Sequence, residues 1–220
     1  MKKIIISLLL FFTISLQSLA ADVMPNIVSI SNTNTLGVYQ TGSTIVLRKT
    51  PDTNSEIVKV IRITENTIEP PDLTFSDVFV VYKDTKQLAL MAVTDETEDW
   101  VELIYNNKTG ERGWLQKDDP YKFSTWVNFY NTYARKYGLF ILNGAPENIK
   151  NMYGSTDDTS KVISKISNQP LIKLHIIKGN WMLVSVMDSD KTPKTGYIRW
   201  RSDDGAKYLL SLIHISEPTR

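Results

Sequence analysis

The sequence predicts a mainly β protein that contains two copies of one hairpin and a single helix between them. The first observation is the alternation of apolar and polar residues along residues 100–116, WVELIYNNKTGERGWLQ, which is typical of two strands joined by a polar turn. The second is a weaker copy of this stretch at residues 181–200, WMLVSVMDSDKTPKTGYIRW. The third is a stripe of aromatic residues at helical spacing between the two copies. We therefore expect a duplicated β module with one connecting helix.

The first copy has a strand that begins at Trp100 and a return strand that begins at Gly113. The Asn-rich turn between them contains residues that tolerate a positive φ. Because side chains alternate between the two faces of a strand, we expect the core side of this hairpin to hold Val101, Leu103 and Leu115. Trp100 is expected on the opposite face.

The second copy keeps the same spacing of key residues. Trp181 corresponds to Trp100 and Gly196 corresponds to Gly113, while the loop between the strands is longer. A change of loop length at constant strand register is typical of a diverged repeat. We therefore expect the two halves to superpose, with the two tryptophans and the two glycines coinciding.

The two copies resemble the bacterial SH3-like (SH3b) module. Such modules open with an Arg-x-x-Pro-type segment, followed by a serine-rich turn and a Val/Ile strand. Residues 47–61, LRKTPDTNSEIVKVI, look like this opening, and residues 152–166, MYGSTDDTSKVISKI, look like its counterpart. The counterpart lacks the proline and has Tyr153 in place of Arg48. The resemblance covers most of residues 36–210 and implies two small SH3-like β-barrels in tandem.

The connecting helix is predicted from five aromatic residues spaced three and four apart, which form one face of a helix. These residues are Trp126, Phe129, Tyr130, Tyr133 and Tyr137. Ser124 is the expected N-cap, and Gly138 is the expected C-terminal stop. The aromatic stripe is expected to pack the two modules together; a platform for a ligand is the alternative.

The N-terminus has the pattern of a cleaved secretory signal. Lys2 and Lys3 precede an uncharged apolar run, and Ser18-Leu19-Ala20 fits a small-x-small cleavage site, so we expect cleavage after Ala20. The run is shorter than the roughly 20 apolar residues that cross a membrane. We therefore expect no transmembrane segment after cleavage and a periplasmic or secreted protein.

The last ten residues, SLIHISEPTR, resemble the translation of a sequencing-library adapter and are interpreted as a non-native tail. The predicted organisation is a signal peptide at 1–20, a lead-in at 21–40, the first SH3-like module at 41–122, the connecting helix at 123–138, the second SH3-like module at 139–210 and the tail at 211–220.

Several chemistries have no support in the composition. The chain contains no cysteine, so a disulfide or a thiolate nucleophile is not expected. Apart from His214 in the suspected tail, His175 is the only histidine, which is too few for a typical zinc site. No G-x-S-x-G or phosphate-binding glycine motif is present. A formal net charge of +1 gives no electrostatic basis for binding nucleic acid. We expect no catalytic residues, metal or cofactor.

Aromatic residues off the core face remain as binding candidates. In modules of the family that the chain resembles, such residues wall a ligand groove; they are Trp100, Trp114, Trp181, Tyr197 and Trp200. We expect the two aromatics of each hairpin to be partly exposed and adjacent, although they could instead fill the space against the helix. The predicted function is that of a non-enzymatic protein that binds peptidoglycan or another envelope component. The alternatives are an interaction module that docks an extended peptide of an envelope protein and, last, an unrecognised hydrolase.

Overall fold

A computed structural model describes residues 33–64, 67–83, 88–166, 171–187 and 191–211. The predicted signal peptide, its cleavage site and residues 212–220 lie outside the described residues. The protein is mainly β, as predicted. The strands are β1 (Gly37–Gln40), β2 (Thr44–Arg48), β3 (Ile57–Thr64), β4 (Thr67–Glu69), β5 (Val81–Lys83), β6 (Leu88–Glu96), β7 (Trp100–Asn106), β8 (Glu111–Gln116), β9 (Phe123–Thr125), β10 (Leu139–Ile141), β11 (Asn151–Tyr153), β12 (Val162–Lys165), β13 (Lys173–Lys178), β14 (Trp181–Met187), β15 (Pro193–Arg199) and β16 (Leu209–Ser211). The helical elements are α1 (Phe75–Val78), α2 (Trp126–Phe129), a π-helical segment (Tyr130–Ala134), α3 (Arg135–Tyr137) and a 3₁₀ turn (Glu147–Lys150).

The two large sheets share one strand order. Five neighbouring strands of the first half follow the order β3-β2-β8-β7-β6, and the five strands of the second follow β12-β11-β15-β14-β13. Numbered within each unit, both orders read second, first, fifth, fourth, third. We call these two sets of strands the first repeat and the second repeat. Within the described ranges, the strand pairs leave both sheets open rather than closed into barrels.

The central hairpins of the two repeats pair in the same register. Leu103 of β7 lies opposite Gly113 of β8, and Val184 of β14 lies opposite Gly196 of β15. The tryptophan that opens each hairpin lies opposite the residue three positions beyond the glycine. The correspondence predicted between the two hairpins is therefore confirmed at the level of strand pairing.

The opening segments of the repeats match as well. Arg48 pairs with Ile57 in the first repeat, and Tyr153 pairs with Val162 in the second, each next to an irregularity in the register. In each turn an aspartate carboxylate accepts the backbone N–H two residues further along, over 2.8 Å. The same local hydrogen bond therefore occurs in both turns, at positions that the sequence predicts to correspond.

The first repeat carries an insertion that the second repeat does not match in its described residues. Strand β4 pairs with the outer edge of β3, and β5 pairs with β6. Helix α1 lies between these two strands and contacts β7. The outer edge of β3 is thereby covered, which prevents it from pairing with another chain.

The connecting helix begins one residue later than predicted. Its N-cap is Thr125, whose hydroxyl accepts the backbone N–H of Asn128 over 3.2 Å. Ser124, the predicted cap, pairs with Val38 within the sheet, so its backbone belongs to β9. Gly138 ends the helix with a φ of 85°, a conformation that a glycine adopts without steric cost, as predicted.

The aromatic stripe of the helix packs both halves of the chain into one core. Trp126 and Tyr130 are buried, and the indole N–H of Trp126 donates to the hydroxyl of Thr35 over 3.0 Å. The hydroxyl of Tyr130 donates to the carbonyl of Leu209 over 2.6 Å, and its ring packs edge-on against Trp200 at 5.0 Å. The predicted packing role of the helix is therefore confirmed.

The first residue of the suspected tail is part of the sheet. Ser211 is fully buried in β16, where it pairs with Leu139 of β10, so this residue belongs to the fold. This pairing forms because the end of the described chain returns to β10, the strand that follows the connecting helix. The sequence SLIHISEPTR alone does not predict such a long-range contact.

Candidate binding cleft

The first repeat contains a cleft of about 320 Å³ beside the start of its central hairpin. Its walls come from the loop after β1, the outward side of β2, the beginning of β7 and the segment after β8. The side chains that give it chemical character are Tyr39, Thr41, Arg48, Trp100, Asp118 and Tyr121.

Three aromatic side chains form the apolar part of the cleft. Trp100 is 8% exposed, which leaves a narrow part of its ring at the wall. Tyr39 is almost fully buried, and its hydroxyl accepts the backbone N–H of Asp118 over 3.0 Å. Burial raises the pKa of Tyr39, so the phenol is neutral near pH 7. Tyr121 is half-buried at the opposite wall.

Gly42 allows Tyr121 to lie against the loop after β1. A Cβ atom at position 42 would lie 3.3 Å from the Tyr121 hydroxyl and 3.4 Å from its ring, which is tighter than most van der Waals contacts. A larger residue at this position would displace the tyrosine and change the width of the cleft. The glycine therefore has a steric role in shaping this wall.

The polar part of the cleft contains one cation, one carboxylate and several neutral groups. Arg48 is anchored because one guanidinium nitrogen donates to the carbonyl of Ser55 over 2.6 Å. Asp118 is exposed at the rim. Thr41 is 4% exposed, and its hydroxyl has no hydrogen-bond partner within the described residues. Buried hydroxyls without partners are uncommon because an unmade hydrogen bond costs free energy.

The five aromatics predicted to bind a ligand do not share one environment. Trp114 and Tyr197 are half-buried, as expected, but Trp100 and Trp181 are buried at 8% and 7% exposure. Their face of the hairpin is covered by neighbouring segments, which the alternation of residues alone does not predict. The pairing register places Trp100 diagonal to Trp114 on one face, but Trp114 is not among the residues that line the cleft.

Trp200 is a core residue rather than part of a groove. It is fully buried, its indole N–H donates to the carbonyl of Gly179 over 2.8 Å, and its ring contacts Tyr130 of the connecting helix. Trp200, predicted as a binding candidate off the core face, lies in the core because Tyr130 of the connecting helix packs against it.

The second repeat fills the corresponding position with its own side chains. Tyr153, the counterpart of Arg48, packs edge-on against Trp181 with ring centroids 5.5 Å apart. Arg199 lies 5.2 Å from the centroid of the same ring and is held by Asp158 at 2.7 Å and Asp203 at 2.9 Å. Burial alone would lower the pKa of Arg199, but these two carboxylates outweigh it and raise the pKa. The guanidinium is therefore a permanent cation over the indole.

Sequence reasoning missed most of the cleft. Tyr39, Thr41 and Tyr121 lie outside the repeated motifs, so no correspondence between the copies points to them. The one available signal was the replacement of Arg48 by Tyr153, which marks a position where the two repeats differ in chemistry.

His175, the histidine outside the suspected tail, takes part in a short chain of side-chain contacts. His175 Nε2 lies 2.7 Å from Ser185 Oγ, which in turn lies 2.7 Å from the hydroxyl of Thr195. These residues come from three adjacent strands, and hydrogen bonds between such neighbours are a common stabilising contact in sheets. Across the described ranges, no group of three His, Asp or Glu residues could hold a metal ion.

No model of a known protein family matches the chain, and no curated protein sequence matches it. In the part of the chain that the structure describes, no helix has the length and apolar character needed to cross a membrane.

Proposed function

We propose that this chain is an exported, non-enzymatic protein that binds peptidoglycan or another cell-wall component through SH3-like modules. The observation that carries the proposal is the cleft beside Trp100, where aromatic faces, a guanidinium and a carboxylate line one concave surface. Binding sites typically combine an apolar wall with a few polar groups that orient the ligand. The common strand order of the two repeats supports a tandem arrangement of two related modules.

The proposed location, the periplasm or the exterior of a bacterial cell, agrees with this ligand class. It rests on the signal-like pattern of residues 1–20 and the absence of cysteine. A ligand of the cell wall would be accessible in either compartment.

Co-sedimentation of the full chain with purified peptidoglycan tests the proposal. We expect the wild type to be retained, and Tyr121→Ala and Arg48→Ala to be retained several-fold less, because both side chains line the cleft. Lys49→Ala is the matched control, since this exposed cation follows Arg48 in the chain but is not among the residues that line the cleft. Equal retention of all four proteins, or no retention of the wild type, would contradict the proposal.

One observation favours the docking of an extended peptide as a second candidate function. Among the described strands, β12 pairs only with β11, and its Val162 and Ile163 are 45% and 42% exposed. The corresponding strand of the first repeat, β3, is covered by β4. An open, apolar edge can accept an additional strand from a partner. Loss of an envelope-protein partner in Val162→Lys, with no retention on peptidoglycan, would favour this function over the first.

A further inference from the structure

We propose that the cleft of the first repeat binds one uncharged, hydroxyl-rich saccharide unit packed against Trp100, and that the second repeat binds none. This inference rests on the proposed function and specifies its ligand class and number of sites. It follows from four features of the described residues: the position of the cleft within the sheet, its hydrogen-bonding groups, its charge, and the filled counterpart in the second repeat.

The cleft lies where strands β2 and β8 diverge, and side chains of both strands line it. Within the described residues these two strands pair at Arg48 opposite Trp114, and Thr44, Val46 and Gln116 line the cleft beyond this pair. Addition of a peptide strand at this edge of β2 is the alternative that the stem-peptide probe below tests. The side chains that line the cleft favour a ligand that carries its own hydrogen-bonding groups around a compact ring.

The neutral polar groups of the cleft match the chemistry of sugar hydroxyls. Thr41, Thr44 and Tyr121 contribute hydroxyls, and Gln116 contributes an amide. Each of these groups can both donate and accept a hydrogen bond, as a sugar hydroxyl does. Thr41 lines the cleft, and its buried hydroxyl has no partner within the described chain. A ligand hydroxyl that reaches this atom when the cleft is occupied would complete a hydrogen bond that the protein leaves unmade.

The size and charge of the cleft restrict the ligand further. A volume of about 320 Å³ is at the lower end of ligand pockets and suits one substituted sugar ring rather than a long polymer segment. Arg48 and Asp118 are one cation and one anion, so the lining has no net charge. A polyanion such as a phosphate polymer would meet the carboxylate as well as the guanidinium. The half-buried ring of Tyr121 instead offers a surface for the C–H face of a pyranose, beside the narrow exposed part of Trp100.

In the described residues of the second repeat, other side chains cover the corresponding tryptophan. The ring of Trp181, which corresponds to Trp100, is contacted by Tyr153 at its edge and by Arg199 over the ring. Two carboxylates hold Arg199 in place, so opening this position would require breaking both ion pairs. In the first repeat the corresponding positions carry Arg48, whose guanidinium is bonded to the turn, and Gln116.

Titration calorimetry on the full chain tests the inference with two probes. The first is the β-1,4-linked tetramer of N-acetylglucosamine, and the second is a peptidoglycan stem pentapeptide. We expect the saccharide to bind with a stoichiometry of one and the pentapeptide to give no binding at the same concentration.

Thr41→Val and Gln116→Ala test the site without removing packing from the core. Each should weaken saccharide binding about fivefold, which is the effect of one neutral hydrogen bond. Neither should lower the melting temperature, since Thr41 makes no hydrogen bond within the described residues and Gln116 is exposed. Thr195→Val in the second repeat is the matched control and should bind as the wild type does.

The outcomes separate this inference from the proposed function. Binding of the pentapeptide but not of the saccharide would overturn the ligand class while leaving cell-wall binding intact. Saccharide binding that Thr41→Val and Gln116→Ala do not weaken, or a stoichiometry of two, would overturn the site. Failure of both probes together with retention on whole peptidoglycan would overturn only the inference, whereas failure of all three would overturn the proposed function as well.

Discussion

At the residue scale, the feature with the clearest physical consequence is a buried lysine. Lys207 is 2% exposed, and its ammonium nitrogen lies 2.9 Å from the hydroxyl and 3.3 Å from the carbonyl of Thr35. It also lies 5.1 Å from the centroid of the Trp126 ring. Burial, with a smaller effect from the nearby Arg201, lowers the pKa of Lys207 to about 7. This side chain therefore joins the two ends of the described chain while changing charge near neutral pH.

The lowered pKa predicts a pH-dependent stability. Between about pH 7 and the unfolded pKa of about 10.4, the unfolded chain binds a proton at this lysine that the folded chain does not. The free energy of unfolding should therefore rise with pH from 7 to 9. Below pH 7 both the folded and the unfolded chain bind this proton, so Lys207 adds no pH dependence there. Lys207→Met should flatten the rise. Melting temperatures of both proteins at pH 6, 7, 8 and 9 check the prediction; equal slopes would contradict it.

At the scale of elements, each repeat has a glycine in the return strand of its hairpin that lies very close to the neighbouring strands. At Gly113 an added Cβ would lie 2.9 Å from Val58 and 3.3 Å from the carbonyl of Arg48. At Gly196 it would lie 2.6 Å from Ile163 and 2.8 Å from the carbonyl of Tyr153. The contacts come from corresponding residues, so the same steric requirement preserves a glycine in both hairpins.

Alanine substitution of these glycines should be destabilising in both repeats. We expect Gly196→Ala to reduce the free energy of unfolding more than Gly113→Ala, with costs of about 1–3 kcal/mol, because the backbone carbonyl at 2.8 Å cannot move aside readily. Gly154→Ala is the control, since its added Cβ would meet its nearest atom at an ordinary 3.8 Å. Chemical denaturation of the three variants provides the measurement, and a larger loss for Gly154→Ala would be inconsistent with the shared packing.

The sequence predicted the elements better than it predicted their environment. Strand register and helix position depend on local patterns, so the correspondence of Trp100 with Trp181 and the stop at Gly138 were available from the residues alone. The burial of Trp200 depends on its contact with Tyr130 of the connecting helix, and the cleft depends on Tyr39 from a strand outside the repeat. These contacts are long-range and leave no periodic signal.

At the scale of the whole molecule, the connecting helix joins the two repeats in one hydrophobic core, so the stability of each repeat depends on the other. The core that surrounds Trp126 and Tyr130 includes buried residues from β1 in the first half and from β16 at the end of the described chain. Since neither half completes this core alone, we expect one cooperative unfolding transition rather than two.

Tyr130→Phe tests this dependence. It removes the hydroxyl that donates to Leu209 and leaves a buried carbonyl without this donor, which should cost about 1–3 kcal/mol. Scanning calorimetry should show a single peak that moves to lower temperature as a whole. Two peaks, of which only one moves, would indicate that the repeats unfold independently.

Within the described residues the two repeats share one strand order, but Trp100 lines an open cleft whereas Trp181 is covered by Tyr153 and Arg199. The most direct test is an ¹⁵N spectrum of the five tryptophan indoles during titration with soluble peptidoglycan fragments. The indole signal of Trp100 should shift in proportion to occupancy, while that of Trp181, covered by Tyr153 and Arg199, should stay in place. A shift of Trp181 without a shift of Trp100, or no change at either residue while the fragments bind, would contradict the account.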